Sequence, residues 1–332
     1  MTALAATHPT LLDIAKVTDP SGTIAQVVEL LKAQNEVLED MVFVEGNLQT
    51  GHRTSVRTGL PSVTWRKMYG GVQPSKSRAA QITDNCGMLE AYGEVDKALA
   101  DLNGNTTAFR LSEEQAFMQA MNDEMAQTLF YGNEGTEPEA FTGLAPRYNS
   151  LSAENAANIL DAGGIGTDNA SIWLVVWGPN TCHGIVPKGS TAGLKIRDLG
   201  EQTSENIDGA NGRAQIYRTH YRWDAGLTVR DWRYVVRVAN IDKSLLTMDA
   251  ASGAYLTDLM VQACEQAENL SMGRPVFYMN RRLRTFLRRQ IINKTVNSSL
   301  TQENIAGKSV TMFDGIPVRR TDALAPDEAR VT

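Results

Sequence analysis

Apolar residues recur at helical spacing in several places. Near the start, Ile24, Val27, Val28, Leu31 and Leu38 fall on one stripe after Ser21 or Thr23 and predict a helix closing near Asp40. The stretch MVFVEG that follows reads as a short strand. Farther on, Phe117, Met121, Met125 and Leu129 repeat every four residues, with Met118 beside them. Ser112 and Gln115 have the form of a capping box, and Asn133 and Gly135 end the pattern, so a long helix is predicted between them. Its methionines are read as core rather than as a cofactor box, because an unbranched thioether fills irregular interiors.

From about residue 150 the pattern becomes mixed α/β. SIWLVVWGP is a short continuous apolar run and predicts a buried strand. QIYRTHYRW alternates, with Tyr217, Thr219, Tyr221 and Trp223 on one side and Ile216, Arg218, His220 and Arg222 on the other. DAG after it predicts a turn, from which WRYVVRVAN would pair back. A helix is expected around Leu256, Leu259, Met260 and Ala263. Then GRPVFYMN reads as a strand, RRLRTFLRRQ as a helix and VTMFDGIPVRRTDAL as a closing strand pair.

Residues 46–83 fit none of these patterns. They hold glycines, prolines and β-favouring pieces, TSVRT and SVTWRKM, but too few large apolar residues to build a core. A long, irregular two-stranded hairpin is predicted, projecting from the body. Arms of about 15 residues would reach roughly 50 Å at about 3.3 Å per residue. An isolated hairpin of that kind is marginal in water and needs something to lie on.

Charge sharpens this picture. The chain has 332 residues and a formal charge of −6, which gives no general attraction to nucleic acid or anionic membranes. Yet residues 46–83 carry Arg53, Arg57, Arg66, Lys67, Lys76 and Arg78 with no acid, a local charge of +6. Residues 112–140 carry Glu113, Glu114, Asp123, Glu124, Glu134, Glu137 and Glu139 with no base, a local charge of −7. Hydrophobic content of 42% supports a real core and excludes a wholly disordered chain.

Signals for chemistry are poor. Cys86, Cys182 and Cys264 are far apart and odd in number, without a CxxC, so neither a disulfide framework nor a zinc site is expected, and a reducing cytoplasm is the natural setting. No signal peptide is read at the start, and the longest apolar run, 172–177, is too short to cross a bilayer. AGKS at 306–309 lacks the earlier glycine of a phosphate-binding loop, Gln302 standing there, and GGIG at 163–166 lacks dinucleotide-binding spacing. His8, His52, His183 and His220 are scattered; a triad brought together by the fold stays open, with His220 read as a packed or interface residue. Arg281, Arg282, Arg284, Arg288 and Arg289 surround Leu283, Phe286 and Leu287 in an amphipathic helix. That helix is read as a solvated face, a subunit interface or a surface facing polyanion. No catalytic, cofactor or metal residue is assigned.

In order, the chain offers an arm, a basic projecting hairpin, a long acidic helix, an α/β domain and a short closing segment. This order resembles the major capsid protein of a tailed bacteriophage with the Hong Kong 97-like fold. RTGLPSVTWRKMYGGVQPSKS resembles the extended loop of that family. GMLEAYGEVDKALADLNGN and EMAQTLFYGNEGTEPEAFTGLAPRYN resemble its peripheral domain with the spine helix. GRPVFYMNRRLRTFLRRQ and FDGIPVRRTDAL resemble parts of the axial domain. The resemblance implies an α+β fold: an N-terminal arm and helix over 1–45, the extended loop over 46–83 and the peripheral domain over 84–149. An axial domain over 150–310 and closing strands with a tail over 311–332 complete it.

It further implies a non-enzymatic protein of the virion, assembled in the host cytoplasm into pentamers and hexamers of an icosahedral shell around double-stranded DNA. Portal, scaffolding and decoration proteins are the implied partners, and no membrane. No segment is read as a fused scaffold. In such a shell the extended loop lies across a neighbour, which is the support that residues 46–83 lack. Arg53, Arg57, Leu60, Trp65, Arg66, Lys67, Tyr69, Lys76 and Arg78 are then expected to meet Glu113, Glu114, Asp123, Glu124 and Glu137 of the next copy. Charge would set register, and Leu60, Val63, Trp65, Met68 and Tyr69 most of the adhesion. An encapsulin-type shell and a soluble two-domain hydrolase are the rival readings.

Overall fold

The computed structural model describes residues 35–101, 106–205, 212–247, 254–292, 300–305 and 308–332. The helix expected to end at Asp40 lies mostly outside these residues, and its last part is helix α1, Val37–Asp40. Strands β1 (Phe43–Glu45), β2 (Gly51–Gly59) and β3 (Arg78–Asp96) follow, then helices α2 (Lys97–Ala100) and α3 (Thr106–Tyr131). Next come β4 (Ile159–Asp161), β5 (Asn169–Trp177), β6 (Cys182–Val186), β7 (Lys195–Glu205), β8 (Arg213–Val229) and β9 (Val235–Asp242). Helix α4 (Leu256–Gln266), β10 (Arg274–Met279), helix α5 (Arg281–Ile292), β11 (Leu300–Ile305), β12 (Lys308–Phe313) and β13 (Ile316–Arg320) complete the order. Two compact units share the described residues: one takes those within 88–125 and 193–224, the other those within 35–87, 126–192 and 225–332.

The larger unit is built around β5, whose every residue is buried, as its continuous apolar run predicts. It pairs antiparallel with β9 (Trp173 opposite Arg237) and with β10 (Leu174 opposite Phe277). Strand β10 runs parallel to β13, and β4 parallel to β9. Side chains alternate across this sheet. Ile172 and Leu174 face Leu256, Met260 and Ala263 of α4 and Leu283 and Leu287 of α5 in one apolar cluster with Val236, Val238, Phe277 and Met279. Burial of each such side chain stabilises by about 1.5–3 kcal/mol. Trp173 points the other way, where the rings of Phe130 and Tyr148 lie 6.3 and 5.9 Å from it. The expected closing pair is present: β12 and β13 are antiparallel, joined at Asp314 and Gly315, with φ of 49° and 77°.

Two local expectations were wrong. The DAG stretch does not turn: Asp224, Ala225 and Gly226 lie inside β8, which stays buried to Val229 and pairs with β6. Both carboxylate oxygens of Asp224 accept from Arg222 Nε at 2.9 and 3.0 Å, so a charged residue can remain in a strand. The turn comes later, through the 3₁₀ segment Trp232–Tyr234, and β9 then pairs with β5 and β4 instead of β8. Nor do Ser112 and Gln115 open a helix: α3 already begins at Thr106, and buried Phe109 anchors the extra turn.

In the smaller unit, β7 and the first part of β8 form an antiparallel ladder from Lys195–Arg222 to Glu205–Arg213. The alternation predicted for β8 holds only in part: Thr219 and Tyr221 are buried between half-buried Arg218, His220 and Arg222, but Ile216 is buried too, and Tyr217 and Trp223 are half-buried. Phe117 of α3 stacks on Tyr221 at 5.5 Å between ring centroids. Gly93 lets both rings approach, since a Cβ there would stand 3.3 and 3.4 Å from them.

Candidate assembly interface

The arm grows from a fixed root. Strands β2 and β3 pair antiparallel from Gly51–Asn85 to Gly59–Arg78, with a bulge after Arg57. The Asn47 side chain closes the root, accepting from Arg53 N and donating to Arg53 O, each at 2.8 Å. Cys86 N donates to Thr50 O at 2.9 Å. A Cβ on Gly51 would fall 2.1 Å from Asp84 O, so only glycine allows the two strands to approach here. Buried Asp84 meets the Arg147 guanidinium at 2.8 Å, and Arg147 also donates to the carbonyls of Thr142, Gly143 and Leu227. One guanidinium thus ties the root of the arm to the loop after α3 and to β8.

Beyond Gly59 the ladder stops. Residues 60–77 form no strand, so SVTWRKM is not the strand its composition predicts. Pro61 and Pro74 remove ladder donors, and the tip is held by Gly70 N to Lys67 O at 3.0 Å and Ser75 Oγ to Ser62 O at 2.8 Å. Leu60 is 80% exposed, Val63 89%, Met68 92%, and Trp65 and Tyr69 fully exposed. Arg57, Arg66, Lys67, Lys76 and Arg78 are exposed too and form no ion pair among the described residues.

The acidic segment is less uniform than its composition suggested. Glu114 lies 3.7 Å from Arg110, one helical turn upstream, and accepts from Thr219 Oγ1 at 3.1 Å. Arg110 itself pairs with Asp198 at 2.7 Å. Asp123 accepts from Gln119 at 2.8 Å, Glu134 from Asn85, and Glu113 is half-buried. Glu124 and Glu137 are exposed. The sequence tally missed Arg110 because it stands just before the window.

Helix α5 presents its arginines as its amphipathic pattern predicts. Leu283 and Leu287 are buried, while Arg281, Arg282, Arg288 and Arg289 are exposed and Arg284 half-buried. Arg281 grips Asp322 through two bonds at 2.9 and 2.7 Å, and Arg282 donates to Lys243 O at 3.3 Å. Arg289 lies over the Phe286 ring at 5.9 Å.

Burial pushes the Cys182 thiol up to about 12 and the Cys264 thiol up to about 11, so neither is a thiolate at neutral pH. His183 is buried, and burial, helped by His52 and opposed by the Gly178 backbone, pulls it down to about 4. His220 stacks on Tyr92 at 4.6 Å and meets Glu90 at 3.3 Å, a packed histidine. No group of three metal-ligating side chains occurs among the described residues, and none of the described helices is long and apolar enough to cross a membrane.

Solved structures resemble this chain. It is similar to a chain in the cryo-EM structure of bacteriophage Epsilon15, with 39% identity, a TM-score of 0.79, and 100% of this chain and 99% of that chain covered. It shares its fold with the bacteriophage JBD30 capsid, at 8% identity and a TM-score of 0.51, over 96% of this chain and 99% of that one. No curated protein matches it. The chain is therefore a capsid subunit with the Hong Kong 97-like fold. It belongs to the family described as major capsid protein GP7, whose model matches residues 19–332. It assembles with copies of itself into the shell of a phage virion.

Proposed function

We propose that the extended arm, residues 46–83, is the part of the chain that binds one copy to the next in the shell. Its bare tip supports this reading above all: Leu60, Val63, Trp65, Met68 and Tyr69 are left to solvent beside uncompensated Arg66 and Lys67. A folded chain gains nothing from holding five large apolar side chains in water. The receiving surface is the acidic segment of a neighbouring copy, at Glu124 and Glu137 first, since Glu114 and Asp123 already have partners in their own chain. A contact between two different patches closes into rings, as pentamers and hexamers require. Exposed ion pairs contribute about 0–1 kcal/mol each, so charge sets register and the apolar tip supplies adhesion.

On this reading residues 84–149 act as the peripheral domain and 150–310 as the axial domain. The protein is not an enzyme; it encloses double-stranded DNA without reading its sequence, and portal, scaffolding and decoration proteins are its further partners. Changing Arg66, Lys67 and Arg78 to Glu should stop shell formation, seen by negative-stain microscopy, while circular dichroism of the subunit stays native. Normal shells from that variant would reject the arm as the connecting element.

A further inference from the structure

Helix α5 and its neighbour β13 gather more positive charge than the fold uses. Arg319 is paired with acids, donating through its two terminal nitrogens to Glu36 at 2.8 Å and Asp40 at 3.1 Å, although its Nε is buried without a hydrogen-bond partner among the described residues. Asp322 serves both Arg281, at 2.7 Å, and Arg320, at 3.8 Å. Arg284 is not matched in this way. Its Nη2 reaches only the Thr311 hydroxyl at 3.3 Å, and its Nε is buried without a hydrogen-bond partner among the described residues. Burial holds its pKa below the ordinary arginine value; Glu36 opposes this, but Arg288, Arg320 and Arg319 add to it. Arg288 forms no ion pair among the described residues, and α5 contains no acid at all.

We propose that α5, with β13 beside it, is a binding surface for the phosphodiester backbone of nucleic acid. The proposal deepens the shell reading by naming the residues that would meet the enclosed DNA. Two features favour phosphate over a neighbouring protein copy. Over residues 281–290 of α5 the exposed side chains are Arg281, Arg282, Thr285, Arg288 and Arg289, none of them large and apolar. Protein–protein contacts are centred on apolar and aromatic anchors and lose charge from their cores, as the tip of the arm illustrates and α5 does not. Geometry agrees: at about 1.5 Å per residue, Arg281 and Arg288 stand about 10.5 Å apart along the helix. That is the reach of about three phosphates of one strand at about 3.4 Å each. Guanidinium forks bind phosphate through paired hydrogen bonds, and such contacts read no sequence.

The test uses unassembled full-length subunits, a fluorescent duplex of random sequence and anisotropy titrations across a salt series. Replacing exposed Arg288 and Arg289 by Gln should leave folding and shell assembly intact. It should weaken duplex binding at low salt by roughly tenfold or more and reduce the salt slope by about 2, near 0.9 per phosphate contact. The arm variant R66E/K67E/R78E is the control and should keep the full slope. An unchanged slope in R288Q/R289Q, or a slope lost only in the arm variant, overturns the proposal. So does loss of assembly with duplex affinity intact, which would make α5 a contact between copies. Inorganic phosphate is the second probe: saturable phosphate binding by a wild-type protein that ignores the duplex would assign the site to a free anion and overturn it as well. Because binding is read on free subunits, failure here leaves the shell reading standing, and failure of the shell reading leaves this result interpretable.

Discussion

The guanidinium of Arg237 in β9 lies 2.7 Å from the Glu328 carboxylate and 5.0 Å from the centre of the Trp173 ring, with both charged side chains buried. Arg237 also donates to Ser171 Oγ at 3.1 Å and Tyr148 O at 2.7 Å, and Tyr131 donates to Glu328 at 2.6 Å. Nearby, Asn240 accepts from Val331 N and donates to Val331 O. The last residues of the chain are thereby fastened onto the central sheet of their unit.

Breaking that pair on one side leaves a buried charge without a partner. Glu328→Gln and Arg237→Met should each lower subunit stability by about 3–5 kcal/mol. Replacing both by apolar residues should recover much of the loss. Urea denaturation of the three variants reads the difference, and single variants within about 0.5 kcal/mol of wild type would show that the pair is not structurally coupled.

The arm behaves oppositely. Trp65 is fully exposed in the subunit, so Trp65→Ser should change subunit stability by less than about 0.5 kcal/mol. In the shell the same change removes an apolar anchor, and assembly should need a subunit concentration higher by at least tenfold. Light scattering against concentration measures it. Destabilised subunits with unaltered assembly would invert the assignment.

His183 makes stability depend on acidity. Its folded pKa of about 4 lies below the ordinary value of 6.5, because burial disfavours the cation and His52 and Arg230 repel it. The unfolded chain then binds more protons between these values, so stability is full above about pH 6.5 and falls as pH drops toward 4. The whole interval is worth about 3 kcal/mol. Denaturation midpoints from pH 7 to 4 should fall more steeply in wild type than in His183→Gln, and parallel curves would remove His183 as the source.

Gly315 tests the local side of the fold. It follows Asp314 at positive φ in the turn between β12 and β13. An L side chain with branching there is strained, so Gly315→Val should lose about 1–2 kcal/mol, whereas Asp314→Gly should be tolerated. Thermal melts of both variants suffice; equal melting temperatures would mean the turn is not formed as described.

These residues also show which parts of the fold are legible in the sequence. The buried run of β5, the amphipathic α5 and the closing strand pair depend on neighbours within a few residues, and the local pattern carried them. The arm was legible as a deficit: residues 46–83 lack apolar mass and acids, and the fold leaves residues 57–83 largely exposed beyond a partly buried root. What failed needed distant partners. Asp224 looked like a turn residue until Arg222 gripped it and the strand ran on, from Gly226, to pair with β6. Ser112 looked like a helix start until Phe109 found a buried seat one turn earlier. Arg147 with Asp84 and Arg237 with Glu328 join residues far apart in the chain, and no local pattern marks either pair.

A density map of shells assembled from this protein, at a resolution that shows side chains, tests the central claim most directly. Trp65, Met68 and Tyr69 should lie against a neighbouring copy, with Arg66 or Lys67 within 4 Å of that copy's Glu124 or Glu137, the usual limit for an ion pair at about that distance. A map in which the same side chains face solvent, or rest on their own chain, would contradict it.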